Sequence, residues 1–286
     1  MSHIAYANGR YVPLRNACVN VEDRGYQFAD GVYEVVYVHG GRLIDAALHL
    51  DRLDRSLREI RIPAPMPRTA LVHVLREVLG RNRLARGLLY IQVTRGVARR
   101  EHAFPSPEVA PALVVTARRT PGFPASAEAW AASAVTRPDL RWARCDIKTV
   151  GLLANLLAKQ EARDQGAVEA ILVDRDGMVT EGASTNVWLV DAAGTLRTRQ
   201  LGQAILAGCT RAALLKLLAE HDISVTEQAF SAEELRRGRE VFLTSATSFV
   251  RPITSIDGAA VGDGTVGPVS SHLFDLFARH MRGNSG

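Results

Sequence analysis

Residues 145–162 read CDIKTVGLLANLLAKQEA, and after a six-residue gap residues 169–187 read EAILVDRDGMVTEGASTNV. The first stretch opens strand-like over CDIKTV, with Asp146, Lys148 and Val150 alternating onto one face and Ile147 onto the other. A helix is then predicted from about Leu152 to Gln165, closed by Gly166. In that helix Asn155, Lys159 and Arg163 stack on one side and read as a solvated face. The second stretch is a strand pair turning at Asp176-Gly177.

Working outward, the same mixture of hairpins and helices recurs. IAYANGRYV is two short strands around Asn8-Gly9, and GVYEVVYVHGGRLID repeats the design at Gly40-Gly41. Leu50, Leu53, Leu57 and Ile60 recur at helical spacing and stop before Pro63. A second helix is expected from about Thr69 to Leu84, followed by strands in LLYIQVTRG and PALVVTARR. RTPGFPAS, residues 119–126, is the one cluster of linker-like residues, so the domains are placed at 1–120 and 121–286, the second being the larger. Beyond it AWAASAVTR reads as a strand, Thr210 starts a helix, Ser231 to Glu234 has capping-box spacing, VFLTSATS is a strand, and Val269 to Met281 is a last helix. Hairpins mixed with helices argue for α+β domains and against a doubly wound sheet.

The 286 residues are 47% apolar and 23% charged, ordinary for a globular protein, and contain no apolar run long enough for a membrane span. The opening MSHIAYANGRYV lacks the basic start and apolar stretch of a secretory signal. Cys18, Cys145 and Cys209 form neither a paired framework nor a metal-type spacing, which points to a reducing cytoplasm and no bound metal. The net charge of +5 is scattered among 30 acidic residues, and the basic clusters are too short for a nucleic-acid stripe.

Only three of the 35 basic side chains are lysines: Lys148, Lys159 and Lys216. Arginine replaces lysine in most surface roles but cannot form a Schiff base, so a lysine-dependent enzyme must use one of these three. Lys159 and Lys216 lie on helices and read as surface charges. Lys148 stands in the strand-like stretch, where spacing alone would make a structural lysine the commoner outcome.

The two opening stretches resemble the class IV aminotransferases, pyridoxal-phosphate enzymes of fold type IV. EDRGYQFADGVYEVV, LHLDRL and YIQVTRGVARREHAF narrow the resemblance to D-amino-acid transaminases, with the blocks in family order from about Glu22 to Thr247. The resemblance implies a two-domain α+β fold with pyridoxal phosphate between the domains, and Lys148 as the lysine joined to it. That amine would be nucleophile first and general base second. Glu181 matches the acid that pairs with the pyridine nitrogen and keeps it protonated. Arg52 matches the phosphate arginine, and Leu206 the apolar support of one ring face. Cys209 and Thr210 follow Gly208 at a helix start, where backbone amides favour an anion, although the Thr210 hydroxyl reads equally as an N-cap. Ala246 departs from the pattern, standing where a phosphate-binding threonine is expected; its amide, or the hydroxyl of Ser245 or Thr247, would have to serve.

For the substrate, Arg100 and His102 match a carboxylate trap reached across a homodimer interface, with Tyr33 adding a hydroxyl. Read without the resemblance, RREH is a polar loop. The implied reaction passes an amino group between a D-amino acid and a 2-oxo acid, of the D-alanine and 2-oxoglutarate type. Rivals on the same fold are a branched-chain L-amino-acid aminotransferase, an R-selective amine transaminase and aminodeoxychorismate lyase; Arg100 and His102 argue against all three. A non-catalytic binder is opposed by the presence of both Lys148 and Glu181.

Overall fold

A computed structural model describes residues 3–283, so the expected domain ends at residues 1 and 286 lie outside the described residues. The chain divides into two compact units, Met1–Gly122 with Ile147–Gly151, and Phe123–Asp146 with Leu152–Gly286. Among the described residues, no helix is long and apolar enough to cross a membrane.

The first unit contains β1 (Ile4–Ala7), β2 (Arg10–Pro13), α1 (Arg24–Phe28), β3 (Gly31–His39), β4 (Arg42–Leu43), α2 (Ala46–Glu59), α3 (Arg68–Asn82), β5 (Arg86–Thr94) and β6 (Ala112–Arg119). Its strands form one antiparallel sheet in the order β2-β1-β6-β5-β3-β4. Both expected hairpin turns are present: Asn8 and Gly9 have φ of 46° and 91°, Gly40 and Gly41 57° and 75°. Two successive positive φ values twist a two-residue turn to match its strands, and Asn-Gly and Gly-Gly tolerate them. On β3, Val32, Val36 and Val38 join a core cluster with Leu50, Leu53 and Leu57 of α2 and Val74, Leu75 and Val78 of α3. Period 2 on the strand meets period 3.6 on the helices, and each such side chain stabilises the fold by roughly 1.5–3 kcal/mol when fully buried.

The second unit contains α4 (Ala127–Trp130), β7 (Ala132–Pro138), α5 (Leu153–Asp164), β8 (Glu169–Val173), β9 (Val179–Gly182), β10 (Asn186–Val190), β11 (Leu196–Thr198), α6 (Cys209–Glu220), β12 (Thr226–Glu227), α7 (Ala232–Arg236), β13 (Glu240–Ser245), β14 (Phe249–Ile256), β15 (Ala259–Ala260) and α8 (Pro268–Arg282). Its mixed sheet runs β12-β11-β10-β13-β14-β7-β8-β9, with β15 on β14. β7 pairs in parallel with both β14 and β8, and α5 makes the crossover from β7 to β8. The hairpin at Asp176-Gly177 and the Ser231/Glu234 capping box form as the sequence predicts.

Three local expectations are corrected. Ala127–Trp130 is a helical turn capped by Ser126, whose hydroxyl accepts the Ala129 amide, so the strand read into AWAASAVTR starts only at Ala132. CDIKTV is not a strand; Lys148 lies in an irregular segment tied to β3 by a single bridge between Val32 and Thr149. Those ties place Ile147–Gly151 with the first unit, whereas the sequence assigned it to the second. Finally, α5 turns part of its polar side inward, at Asn155 and Lys159, while Arg163 stays exposed as expected. The Asn155 side-chain amide donates to the Ala183 carbonyl at 2.8 Å, and Lys159 Nζ lies 2.9 Å from buried Glu169. Leu153, Leu156 and Leu157 are 71%, 60% and 60% exposed instead. Satisfied polar partners let Asn155 and Lys159 occupy the inner side at little cost.

Candidate active site

In the first unit, β3 and α2 build a buried ionic cluster. Glu34 shares the inward face of β3 with Val32 and Val36, and His49 and Arg52, three apart on α2, point at it together. Arg52 Nε and Nη2 donate to the two Glu34 carboxylate oxygens, both at 2.7 Å, and His49 Nδ1 lies 2.7 Å from one of them. Burial alone would raise the Glu34 pKa, but the Arg52 charge and the hydrogen bonds from Arg52 and His49 outweigh it and hold it at about 2. The folded-state pKa thus lies below the ordinary carboxylate value. The stability it confers is complete above about pH 4.5 and is lost as pH falls towards 2, on the order of 3 kcal/mol in full. Glu34→Gln should therefore be less stable than the parent at pH 7, and the gap should shrink by pH 3. Urea unfolding at both pH values checks this, and a gap independent of pH would exclude Glu34 as its source.

Lys148 is pinned through its backbone. Its carbonyl accepts the Tyr33 amide at 3.0 Å, Val150 donates to the Gly31 carbonyl at 3.0 Å, and the Lys148 amide reaches Ser56 Oγ of α2 at 3.4 Å. With the main chain held on two sides, the side chain lies over Tyr33, Nζ 4.2 Å from the ring centroid. The structure therefore brings Lys148 and Tyr33 together. Arg100 and His102 stand on an exposed loop after β5, and both pack on Phe28 of α1, at 4.6 Å and 5.6 Å from its ring centroid.

In the second unit the focus is Glu181, buried on β9. One carboxylate oxygen accepts from Asn186 Nδ2 at 3.0 Å and from the Leu206 amide at 3.1 Å, and the other accepts from Arg141 Nη1. Arg141 is fixed in turn by Asp139, at 2.9 Å through Nε and 2.8 Å through Nη2, and by the Ala204 carbonyl at 3.1 Å. Burial would raise the Asp139 pKa, yet hydrogen bonds from Arg141 and Thr180 keep it below the usual range. Burial also lowers that of Arg141, but Asp139 and Glu181 more than compensate and raise it. Asp139 and Arg141 thus both stay charged. The Cys145 thiol, by contrast, is pushed up to about 11 by burial, which makes it a poor nucleophile at neutral pH.

Asn186 ties Glu181 to the start of α6. Its Nδ2 also donates to the Leu206 carbonyl at 3.0 Å, so Glu181 and Leu206 are held by one amide. A Cβ on Gly208 would stand 2.0 Å from Asn186 Oδ1, so this close approach requires glycine. Gly208 is the N-cap of α6 and caps it with no side chain, which leaves Thr210 inside the first turn and removes the N-cap reading of its hydroxyl. Cys209 and Thr210 are both buried there. Ala246 lies in the turn after β13. Ser245 Oγ accepts the Ser248 amide at 2.9 Å and the Thr247 amide at 3.3 Å, so that hydroxyl serves its own turn, while Thr247 is exposed.

Glu34, His49, Asp139, Arg141 and Asn186 were not singled out by sequence. A lone acid in GVYEVVYV facing a His and an Arg one turn apart on the next helix was a usable signal. RPDLRWAR reads as a polar loop, and nothing in it announces the pairing with Glu181.

The family described as amino-transferase class IV matches residues 31–256. The chain is 39% identical to a D-alanine aminotransferase of Staphylococcus haemolyticus over 98% of both chains. Its fold is similar to the branched-chain amino acid aminotransferase of Escherichia coli, with TM-score 0.90 and 26% identity over 100% of this chain and 97% of that one. A hypothetical aminotransferase of Mycobacterium tuberculosis, solved in its PLP-bound form, shares the fold with TM-score 0.84 at 22% identity, over 98% of this chain and 99% of that one.

Proposed function

Because the chain belongs to the class IV aminotransferases, we propose that it transfers an amino group between a D-amino acid and a 2-oxo acid, of the D-alanine and 2-oxoglutarate type, with pyridoxal phosphate carried on Lys148. The observation that carries this reading is the setting of the three lysines. Lys159 is committed to Glu169, Lys216 is 79% exposed on α6, and Lys148 alone is held by its backbone with Nζ laid on an aromatic ring. The likeness to D-alanine aminotransferase supports the choice of substrate.

The residues present fit the cofactor. When bound, pyridoxal phosphate supplies an aldehyde that condenses with amines and a ring that takes up the electrons released at Cα. Glu181 offers a buried carboxylate ion-paired with Arg141, which would hold a proton at the pyridine nitrogen. Leu206 supports a ring face. Arg52, with its guanidinium oriented by Glu34, neutralises phosphate charge, and the first-turn amides of Cys209 and Thr210 donate to phosphate oxygens. Ala246 contributes its backbone amide. Lys148 would hold the cofactor as nucleophile, and its amine would move the proton at Cα. Arg100 and His102 receive the substrate carboxylate, with the Tyr33 hydroxyl as a further donor.

We place these residues in a homodimer in which Arg100 and His102 serve across the interface. The exposed Leu153, Leu156 and Leu157 of α5 support this, since contiguous apolar surface marks an association site. Incubation with D-alanine and 2-oxoglutarate should yield pyruvate and D-glutamate by chiral chromatography. L-Glutamate as the product, or turnover of L-leucine with none of D-alanine, would overturn the reading.

A further inference from the structure

The block EDRGYQFAD, residues 22–30, has so far been given no role. It folds as the short helix α1 between an N-cap at Asp23, whose carboxylate accepts the Gly25 amide at 2.8 Å, and a left-handed C-cap at Ala29. Its first helical residue is Arg24, which is only 3% exposed. A buried guanidinium must find partners for its donors, and two of these partners are carbonyls on the loop that carries Arg100 and His102. Arg24 donates through Nε to Asp30 at 2.8 Å, through Nη1 to the Glu101 carbonyl at 2.6 Å, and through its backbone amide to the Gly96 carbonyl at 2.9 Å. Nη2 adds a longer contact to the His102 carbonyl at 3.5 Å.

Two further features tighten the loop. Asp30 also binds Arg95, at 2.7 Å through Nε and 2.9 Å through Nη2, and the Arg95 guanidinium lies 3.5 Å from the centroid of Phe104 at the loop's far end. Phe28 is a shared platform, with Arg24 at 4.8 Å, Arg100 at 4.6 Å and the His102 ring at 5.6 Å from its centroid. Two guanidinium groups at one ring are tolerated because Asp30 neutralises the inner one and the ring quadrupole attracts both. Asp30 stays ionised: burial opposes this, but the hydrogen bonds from Arg95 and Arg24 lower its pKa.

We propose that Arg24 and Phe28 are positioning residues that preset Arg100 and His102 as a receptor for the substrate carboxylate. This rests on the reading of Arg100 and His102 given above. Arg24 fixes the height of the loop backbone, and Phe28 fixes the direction of the two side chains. Lysine cannot substitute at position 24, because one ammonium does not reach a carboxylate and the loop carbonyls in a planar fork.

The test compares Phe28→Leu, Arg24→Lys and Arg100→Ala in the holoenzyme, measuring kcat and KM for D-alanine, cofactor absorbance and melting temperature. Phe28→Leu should raise KM about tenfold, the scale of one partly desolvated cation–π contact, while saturated kcat changes little. Arg24→Lys should raise KM in the same way, with cofactor absorbance unchanged in both. If Arg100→Ala raises KM but neither other variant does, the positioning role is overturned and the receptor reading stands. If Arg100→Ala itself leaves KM unchanged, the receptor reading fails and takes this inference with it. A fall in melting temperature and kcat with no KM effect would make Arg24 and Phe28 purely structural.

Discussion

Lys148→Arg should leave a folded protein whose turnover is lower by about 10⁴-fold or more, the upper range for loss of one general base, with the nucleophile lost as well. The substitution keeps the positive charge over Tyr33. It also keeps the hydrogen bonds that anchor the segment, because these use the Lys148 amide and carbonyl and not its side chain. Arginine cannot condense with an aldehyde, and with a pKa above about 12 it cannot take up a proton at neutral pH. Loss of activity with an unchanged melting curve isolates the chemistry. A variant that retains more than about one per cent of the parent kcat would mean that another group performs both steps, since one per cent marks the lower limit expected for a single general base.

Arg100→Ala should reduce kcat/KM for D-alanine by between about 30-fold and several thousand-fold. A carboxylate deprived of a desolvated charged partner loses roughly 2–5 kcal/mol, and each 1.4 kcal/mol is tenfold. Because Arg100 is exposed in the single chain, its removal should change stability by no more than about 0.5 kcal/mol. An R-configured amine without a carboxylate should be affected far less, so the ratio of the two losses is the quantity to measure. Equal losses would assign Arg100 to the loop and not to the substrate. The fold alone does not decide this point, since the branched-chain enzyme of E. coli has a similar fold.

What the sequence disclosed followed from local rules. Asn8-Gly9 and Gly40-Gly41 marked hairpins because few other pairs accept positive φ twice, and the leucine spacing of α2 allowed one helix face only. Gly208 and Asn186 were both in view, but their close approach joins residues 22 apart in sequence, a distance that periodicity does not see. The scarcity of lysine left three candidates and the family resemblance pointed to Lys148, whose segment was read as a strand. Alternation over six residues looks the same whether the backbone pairs along its length or touches a neighbour once. α5 misled in the opposite direction, because amphipathic spacing cannot tell which face turns inward when the polar residues find buried partners such as Glu169. Glu34, His49 and Arg52 form one buried unit built from two elements, and their packing gives the geometry by which Glu34 orients Arg52.

One lysine of the three, Lys148, is expected to carry the cofactor. Borohydride reduction of the holoenzyme, followed by digestion and mass spectrometry of the peptides, tests it most directly. The pyridoxyl group should appear on the peptide containing Lys148 and be absent from those containing Lys159 and Lys216. Label on either of the latter, with Lys148 unmodified, would contradict the account.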